Sequence, residues 1–211
     1  MNNSLAVAVI ACAALLAACG NKNDPTESNL GAAISAGMEG DKGALCLRGA
    51  REAYAFPVTV ADRDLGDPTA AGLRQQLGAL EKHGLIGRLP AGKPDAREAA
   101  TVFSLTDEGR KSAMVITRRT ADANPQDAAQ AWKLCFGKAR LDKVDAWTQP
   151  DPATHRSQVT YTYRVDELAS WAKESDVRRA FPEIDAATRE AGETKLHVVL
   201  EQRPDGWVRV N

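Results

Sequence analysis

The chain has 211 residues, 44% of them hydrophobic, with 27 Lys and Arg against 28 Asp and Glu and a formal net charge of -1. That near-balance argues against a nucleic-acid partner and against a polybasic membrane-surface role, both of which need an excess of Lys and Arg. The apolar share is enough to bury a core.

Residues 1–18 contain no charged side chain. An apolar run from Leu5 to Leu15 leads into Leu16-Ala17-Ala18-Cys19, with the small residue Gly20 next. The run is shorter than the roughly 20 residues that cross a bilayer core, and it sits where a secretion signal carries its apolar region. Met1 to Ala6 hold no Lys or Arg, unlike the usual start of such a signal, and the competing reading is an ordinary apolar terminus. Leu-Ala-Ala-Cys resembles the lipobox of bacterial lipoproteins. The resemblance implies that residues 1–18 are a signal peptide and that Cys19 is acylated, with palmitate-type chains, to become the first residue of the mature protein. Asn21 stands where the resemblance would require Asp for inner-membrane retention, so the expected address is the periplasmic face of the outer membrane.

Residues 19–43 are rich in Asn, Asp, Gly, Ser and Lys and read as a flexible tether, with the folded body starting near Ala44. Of the four cysteines, Cys12 leaves with the signal and Cys19 carries lipid, so Cys46 and Cys135 remain. In an oxidising periplasm such a pair predicts a disulfide rather than a metal site, which would need further ligands. Two buried thiols or one reactive thiol are the alternatives.

From Asp67-Pro68 a helix is expected, capped by Thr69, with Leu73, Leu77 and Leu80 on one face and Gly84 as its stop. Leu85 to Leu89 predicts a strand, Pro90 to Pro94 a turn and Ala100 to Leu105 a second strand, before a helix capped by Thr106 that runs through Gly109 and Met114. This stretch, with Leu80-Glu81-Lys82-His83-Gly84-Leu85-Ile86, Arg88, Asp95, Arg97 and Leu105-Thr106-Asp107-Glu108-Gly109-Arg110, resembles a winged helix of the multiple-antibiotic-resistance-regulator type. The resemblance implies that fold for residues 44–124. A DNA role does not follow, because the helix from Ala70 to Gly84 offers only Arg74 and Lys82 against Glu81, and a lipobox places the chain away from a genome.

Residues 125–211 have a different texture. A short helix is expected from Pro125 to Trp132, then strands at Lys133 to Lys138 and Leu141 to Thr148. Val159, Tyr161, Tyr163 and Val165 alternate with Thr160, Thr162 and Arg164, which predicts a strand with one buried face. Glu167 to Phe181 predicts a helix, Pro182 starts another that Gly192 ends, and Thr194 to Gln202 with Trp207 to Val210 predicts a hairpin about Pro204-Asp205-Gly206. All four tryptophans lie in this part, which suggests that it owns the larger aromatic core. The fold class expected is α+β: a winged-helix-like unit followed by a mostly antiparallel sheet with helices on one face.

Val144-Asp145-Ala146-Trp147-Thr148-Gln149-Pro150, Val159-Thr160-Tyr161-Thr162-Tyr163, Trp171-Ala172 and Ala180-Phe181-Pro182 resemble a family of proteobacterial envelope lipoproteins with a winged-helix-like front half and a Trp/Tyr-rich back half. Similar lipoproteins occur as periplasmic immunity proteins beside antibacterial toxins, and some relatives are linked with carbapenem self-protection. The resemblance implies a protein that binds and neutralises a partner protein, without catalysis or cofactor. The alternative is a periplasmic lipoprotein that binds a small ligand or protects against an antibiotic.

No catalytic set assembles from the sequence. Gly87 to Pro94 nearly spells a phosphate loop, but Pro94 stands where Ser or Thr would hold magnesium. Ser170-Trp171-Ala172-Lys173 has the Ser-x-x-Lys spacing of penicillin-recognising enzymes without their companion motifs. His83, His155 and His197 share no metal-binding spacing, so no metal is expected. The partner-binding residues expected are Arg88, Lys93 and Arg97 of the wing, with exposed parts of the Trp147 to His155 turn.

Overall fold

The computed structural model describes residues 21–48, 54–89, 99–118 and 129–210. They form a mixed α+β structure. The first element is α1 (Glu27–Ala36), capped by Thr26, whose Oγ1 accepts the Asn29 N–H at 3.2 Å. Leu30, Ile34 and Met38 recur every four residues and are buried. This corrects the expected tether over residues 21–43, and residues 19 and 20 lie outside the described residues. Polar composition hid an apolar stripe that needs another surface to cover it.

Strand β1 (Ala44–Cys46) and β2 (Ala55–Phe56) are short, and β3 (Val58–Ala61) leads into α2 (Asp62–Gly66). A 3-10 turn over Pro68–Ala70 then enters α3 (Ala71–Lys82). Asp67, not Thr69, is the cap, accepting the Thr69 N–H at 2.8 Å. Leu73, Leu77 and Leu80 are buried as expected. Gly84, at φ +68, turns the chain from α3 into β4 (Ile86–Leu89).

Strand β5 (Ala100–Leu105) returns beside β4, and Thr106 caps α4 (Asp107–Lys111). Gly109 has a packing role: a Cβ there would lie 2.0 Å from the Leu85 carbonyl oxygen, so only glycine lets α4 sit on the start of the hairpin. Met114 is not in that helix but in β6 (Ala113–Arg118). The three-stranded antiparallel sheet has order β3-β5-β4.

The larger sheet is built on β7 (Ala129–Trp147), one strand where two were expected; Ala129 to Trp132, expected as helix, belong to it, and residues 125–128 lie outside the described residues. Strands β8 (Arg156–Asp166), β9 (Leu196–Arg203) and β10 (Gly206–Arg209) complete the order β1-β7-β8-β9-β10, with β2 and β6 also paired to β7, all antiparallel. Between β8 and β9 the expected helix over Glu167 to Phe181 is a 3-10 turn at Ser170–Lys173 and α5 (Ser175–Ala180), followed by α6 (Pro182–Glu190). The helix cannot start at Glu167, whose φ is +53, and the Ala169 N–H is held by the Phe136 carbonyl of β7.

Two apolar cores result. One gathers Tyr54, Phe56, Leu80, Phe103, Leu134, Phe136, Trp171, Phe181 and Ile184; the other packs Leu30 and Ile34 of α1 on Val159, Tyr161, Leu200 and Trp207. The first therefore crosses the expected boundary at residue 124, since α5 and α6 close over the helix-hairpin unit. Residues 125–211 supply Phe136, Trp171 and Phe181 to the first core and Tyr161, Tyr163 and Trp207 to the second, more rings than Tyr54, Phe56 and Phe103 of the front part, while Trp147 stays exposed.

Because Leu30 is fully buried beneath the sheet, Leu30→Ala should cost about 2–5 kcal/mol in urea unfolding of the folded body. A change within a few tenths of a kcal/mol would return residues 21–43 to a tether.

Candidate functional site

The expected wing places Arg88 on β4, at the surface and paired with Glu81. Its Nε and Nη2 donate to the two carboxylate oxygens of Glu81 at 2.9 and 3.1 Å, and the guanidinium stands 5.6 Å from the Phe103 ring centre. The Glu81 hydrogen bonds, then its charge, raise the Arg88 pKa. Arg88 is thus paired within its own fold while its side chain stays 62% exposed. Lys93 and Arg97 lie outside the described residues, as does Cys19 with the whole of residues 1–18. Beside Arg88, Leu89 is 51% exposed at the end of β4, an edge strand of its sheet among the described residues. A large apolar residue immediately before Pro90 was the available signal for it.

Where α3 meets α5, Asp176 receives two hydrogen bonds, from Lys82 Nζ to Oδ2 at 2.7 Å and from His83 Nε2 to Oδ1 at 2.9 Å. A carboxylate only accepts, so Nε2 carries the proton in this contact. The Lys82 bond first and the His83 bond second hold the Asp176 carboxyl well below the usual carboxylate range. With Glu174, these residues bring His83 and Asp176 ligand atoms within 4.8 Å of one another, the one arrangement among the described residues that could hold a metal ion. The Lys82 ammonium already supplies a cation to it. The junction links residues 93 or 94 positions apart, a proximity that local sequence patterns do not encode.

Cys46 and Cys135 face each other across β1 and β7 with their sulfurs bonded, 89 positions apart. Two cavities flank this bridge, of about 380 and about 530 Å³. The first is rimmed by Asp41, Lys111, Lys138, Arg140 and Glu167, with Lys138 Nζ 2.7 Å from Glu167. The second has Leu45 and Phe136 in its lining with Arg48, Lys133, Glu183 and Glu190. There the Arg48 N–H donates to Glu183 at 3.0 Å and the Tyr163 hydroxyl to the Ala187 carbonyl at 2.9 Å. Burial, with Glu190 nearby, raises the Tyr163 phenol above its ordinary pKa.

Of the Gly87 to Pro94 stretch, Gly87, Arg88 and Leu89 are strand residues, and residues 90–94 lie outside the described residues. Ser170 and Lys173 are exposed on a 3-10 turn, and it is Trp171 and Ala172 between them that are buried. His197 Nδ1 lies 3.1 Å from Thr160 Oγ1 on the exposed sheet face. The Trp147 to His155 turn is ordered by Asp151, whose Oδ1 accepts from the Thr154 N–H, the Thr154 hydroxyl and the Ala153 N–H; these bonds lower its pKa.

Asp176 contributes stability above the unfolded carboxyl pKa, about 4, and loses it as pH falls through the depressed folded value. Asp176→Asn should therefore lower Tm at pH 7, and the gap from wild type should close as pH drops below about 4. Thermal melts across pH test this; a gap constant down to pH 2 would refute it. Cys46→Ser with Cys135→Ser should cost about 2–5 kcal/mol in urea unfolding, with the wild type showing no alkylatable thiol at either position under non-reducing conditions.

No family model, curated protein or solved structure matches the chain.

Proposed function

We propose that the chain is a non-catalytic lipoprotein, anchored through Cys19 at the periplasmic face of the outer membrane, that binds and neutralises a partner protein as an immunity protein does against an antibacterial toxin. The lipobox supports the address, and the Cys46–Cys135 bridge is consistent with an oxidising compartment. The order β3-β5-β4, with α3 between β3 and β4, supports a winged-helix-like reading of the helix-hairpin unit. Resemblance to envelope lipoproteins with such a front half points the same way.

The observation that carries the binding role is the end of β4. Leu89 projects into solvent beside an internally neutralised Arg88–Glu81 pair, which is an apolar anchor with a charged rim. The edge of β4 also has backbone groups suited to pairing with a strand of another chain. Occlusion by a preformed surface needs no bond-making group. The two cavities beside the disulfide favour the second reading, a small-ligand or antibiotic-protection lipoprotein, and their mixed charged rims suit a polar ligand.

Deleting the gene should sensitise cells to a toxin delivered by siblings, and a wild-type copy should restore survival. A Leu89→Asp copy, folded to the same Tm, should restore it at least tenfold less well. Equal survival of deleted and wild-type cells in that competition would overturn the immunity reading.

A further inference from the structure

We infer that His83, Glu174 and Asp176 form a binding site for a divalent transition-metal ion of the zinc class, which joins the end of α3 to the start of α5. Among the described residues these three alone bring ligand atoms close enough for one ion, all within 4.8 Å of one another. The donor set is one imidazole nitrogen and two carboxylate oxygens, ligand types that zinc takes in open sites where water completes the shell. An imidazole in the set selects zinc-like ions over calcium and magnesium, which take oxygen ligands. The fold brings the ligands together. His83 ends α3, where its N–H is bonded to the Ala79 carbonyl and Gly84, at φ +68, turns the chain away. Glu174 and Asp176 stand at the start of α5, which is tied to α3 by the bond from Gln76 Nε2 to the Ala180 carbonyl at 3.0 Å.

The spacing is close to what an ion needs. His83 Nε2 and Asp176 Oδ1 are 2.9 Å apart. Two ligand atoms each about 2.0 Å from a tetrahedral ion are separated by about 3.3 Å, so a shift of a few tenths of an ångström admits it. The ion takes the place of the proton on Nε2, and the neutral ring then carries its proton on Nδ1. Glu174 is the cap residue of α5, yet its carboxylate accepts no backbone N–H there and has no partner among the described residues, so it is free to turn to the ion. Lys82 Nζ lies 2.7 Å from Asp176 Oδ2, a different oxygen from the one that meets His83. A hydrogen bond to the second oxygen of a ligating carboxylate orients it. The ammonium also cancels one of the two acidic charges, and the ion meets the other together with the negative end of the α3 dipole. Because His83 and Asp176 lie 93 positions apart, the site exists only in the folded chain, and an ion held there clasps the helix-hairpin unit to the part that carries α5.

The test uses residues 19–211 with Cys46 and Cys135 bonded and with Cys19→Ser, which removes a thiol that would itself take zinc. Calorimetric titration of this chain with zinc chloride at neutral pH should show one ion bound, and zinc should raise Tm where calcium leaves it unchanged. His83→Gln and Glu174→Gln should each weaken zinc binding by about tenfold or more. Glu174→Gln removes no bond of the fold and should melt like the parent chain without metal, which separates loss of the ion from loss of structure. His155→Gln and His197→Gln, outside the cluster, should bind zinc as the parent does. Absence of zinc binding by the parent, undiminished binding in His83→Gln or Glu174→Gln, an equal loss in His155→Gln or His197→Gln, or a calcium effect equal to that of zinc would each overturn the site.

Discussion

The ladder of β7 is the constraint on which both cores depend. Its first half hydrogen-bonds to β6 and β2, its middle to β1, and its second half to β8. Leu134 and Phe136 enter the first core, and Val144 enters the second. A strand much longer than the usual five or six residues must bend to serve two cores, and the register shifts at Leu141/Lys143 and Val144/Ala146 provide the bending. These shifts stand where α1 lies close, since a Cβ at Gly31 would meet the Leu141 side chain at 3.3 Å and that of Val144 at 3.6 Å. The bent half of β7 and the docked helix are two sides of one packing solution.

The disulfide acts on the weakest part of that ladder. Strand β1 has three residues and β2 has two, too few backbone bonds to hold the segment between α1 and the helix-hairpin unit by themselves. Joining Cys46 to Cys135 closes a loop of about 90 residues, which in the chain-entropy model removes roughly 4 to 5 kcal/mol of unfolded-state freedom. The bridge thus fixes the place where the two cores meet.

Legibility in the sequence followed the range of the interaction. Local signals sufficed for β5, β8 and the buried face of α3, because Val159, Tyr161 and Tyr163 alternate and Leu73, Leu77 and Leu80 recur within a single element. Composition misled at α1, where Asn, Ser and Gly outweighed the Leu30, Ile34 and Met38 stripe by number although the stripe decides the burial. Elements whose form depends on distant partners were not readable: Met114 becomes a strand residue by pairing with Lys133, and the helix after Glu167 is delayed by a bond to Phe136. For the candidate surface, the sequence showed that Arg88 was basic and placed it beside a turn. Its pairing with Glu81 depends on the α3-to-β4 turn and could not be read from charge alone.

That pairing is one case of a general feature of the surface. Arg88 with Glu81, Lys82 and His83 with Asp176, Arg156 and Arg203 with Glu201, and Arg178 with Asp185 all direct charge toward the protein's own groups. Together with a net charge of -1, this leaves little long-range field to steer a partner. Recognition of the proposed partner would then draw on shape and on the few large apolar side chains in solvent, which among the described residues are Leu89, Val115, Trp147 and Val199. Trp147 ends β7 of the larger sheet, whereas Leu89 ends β4 of the three-stranded one, so the two are separate features rather than one patch.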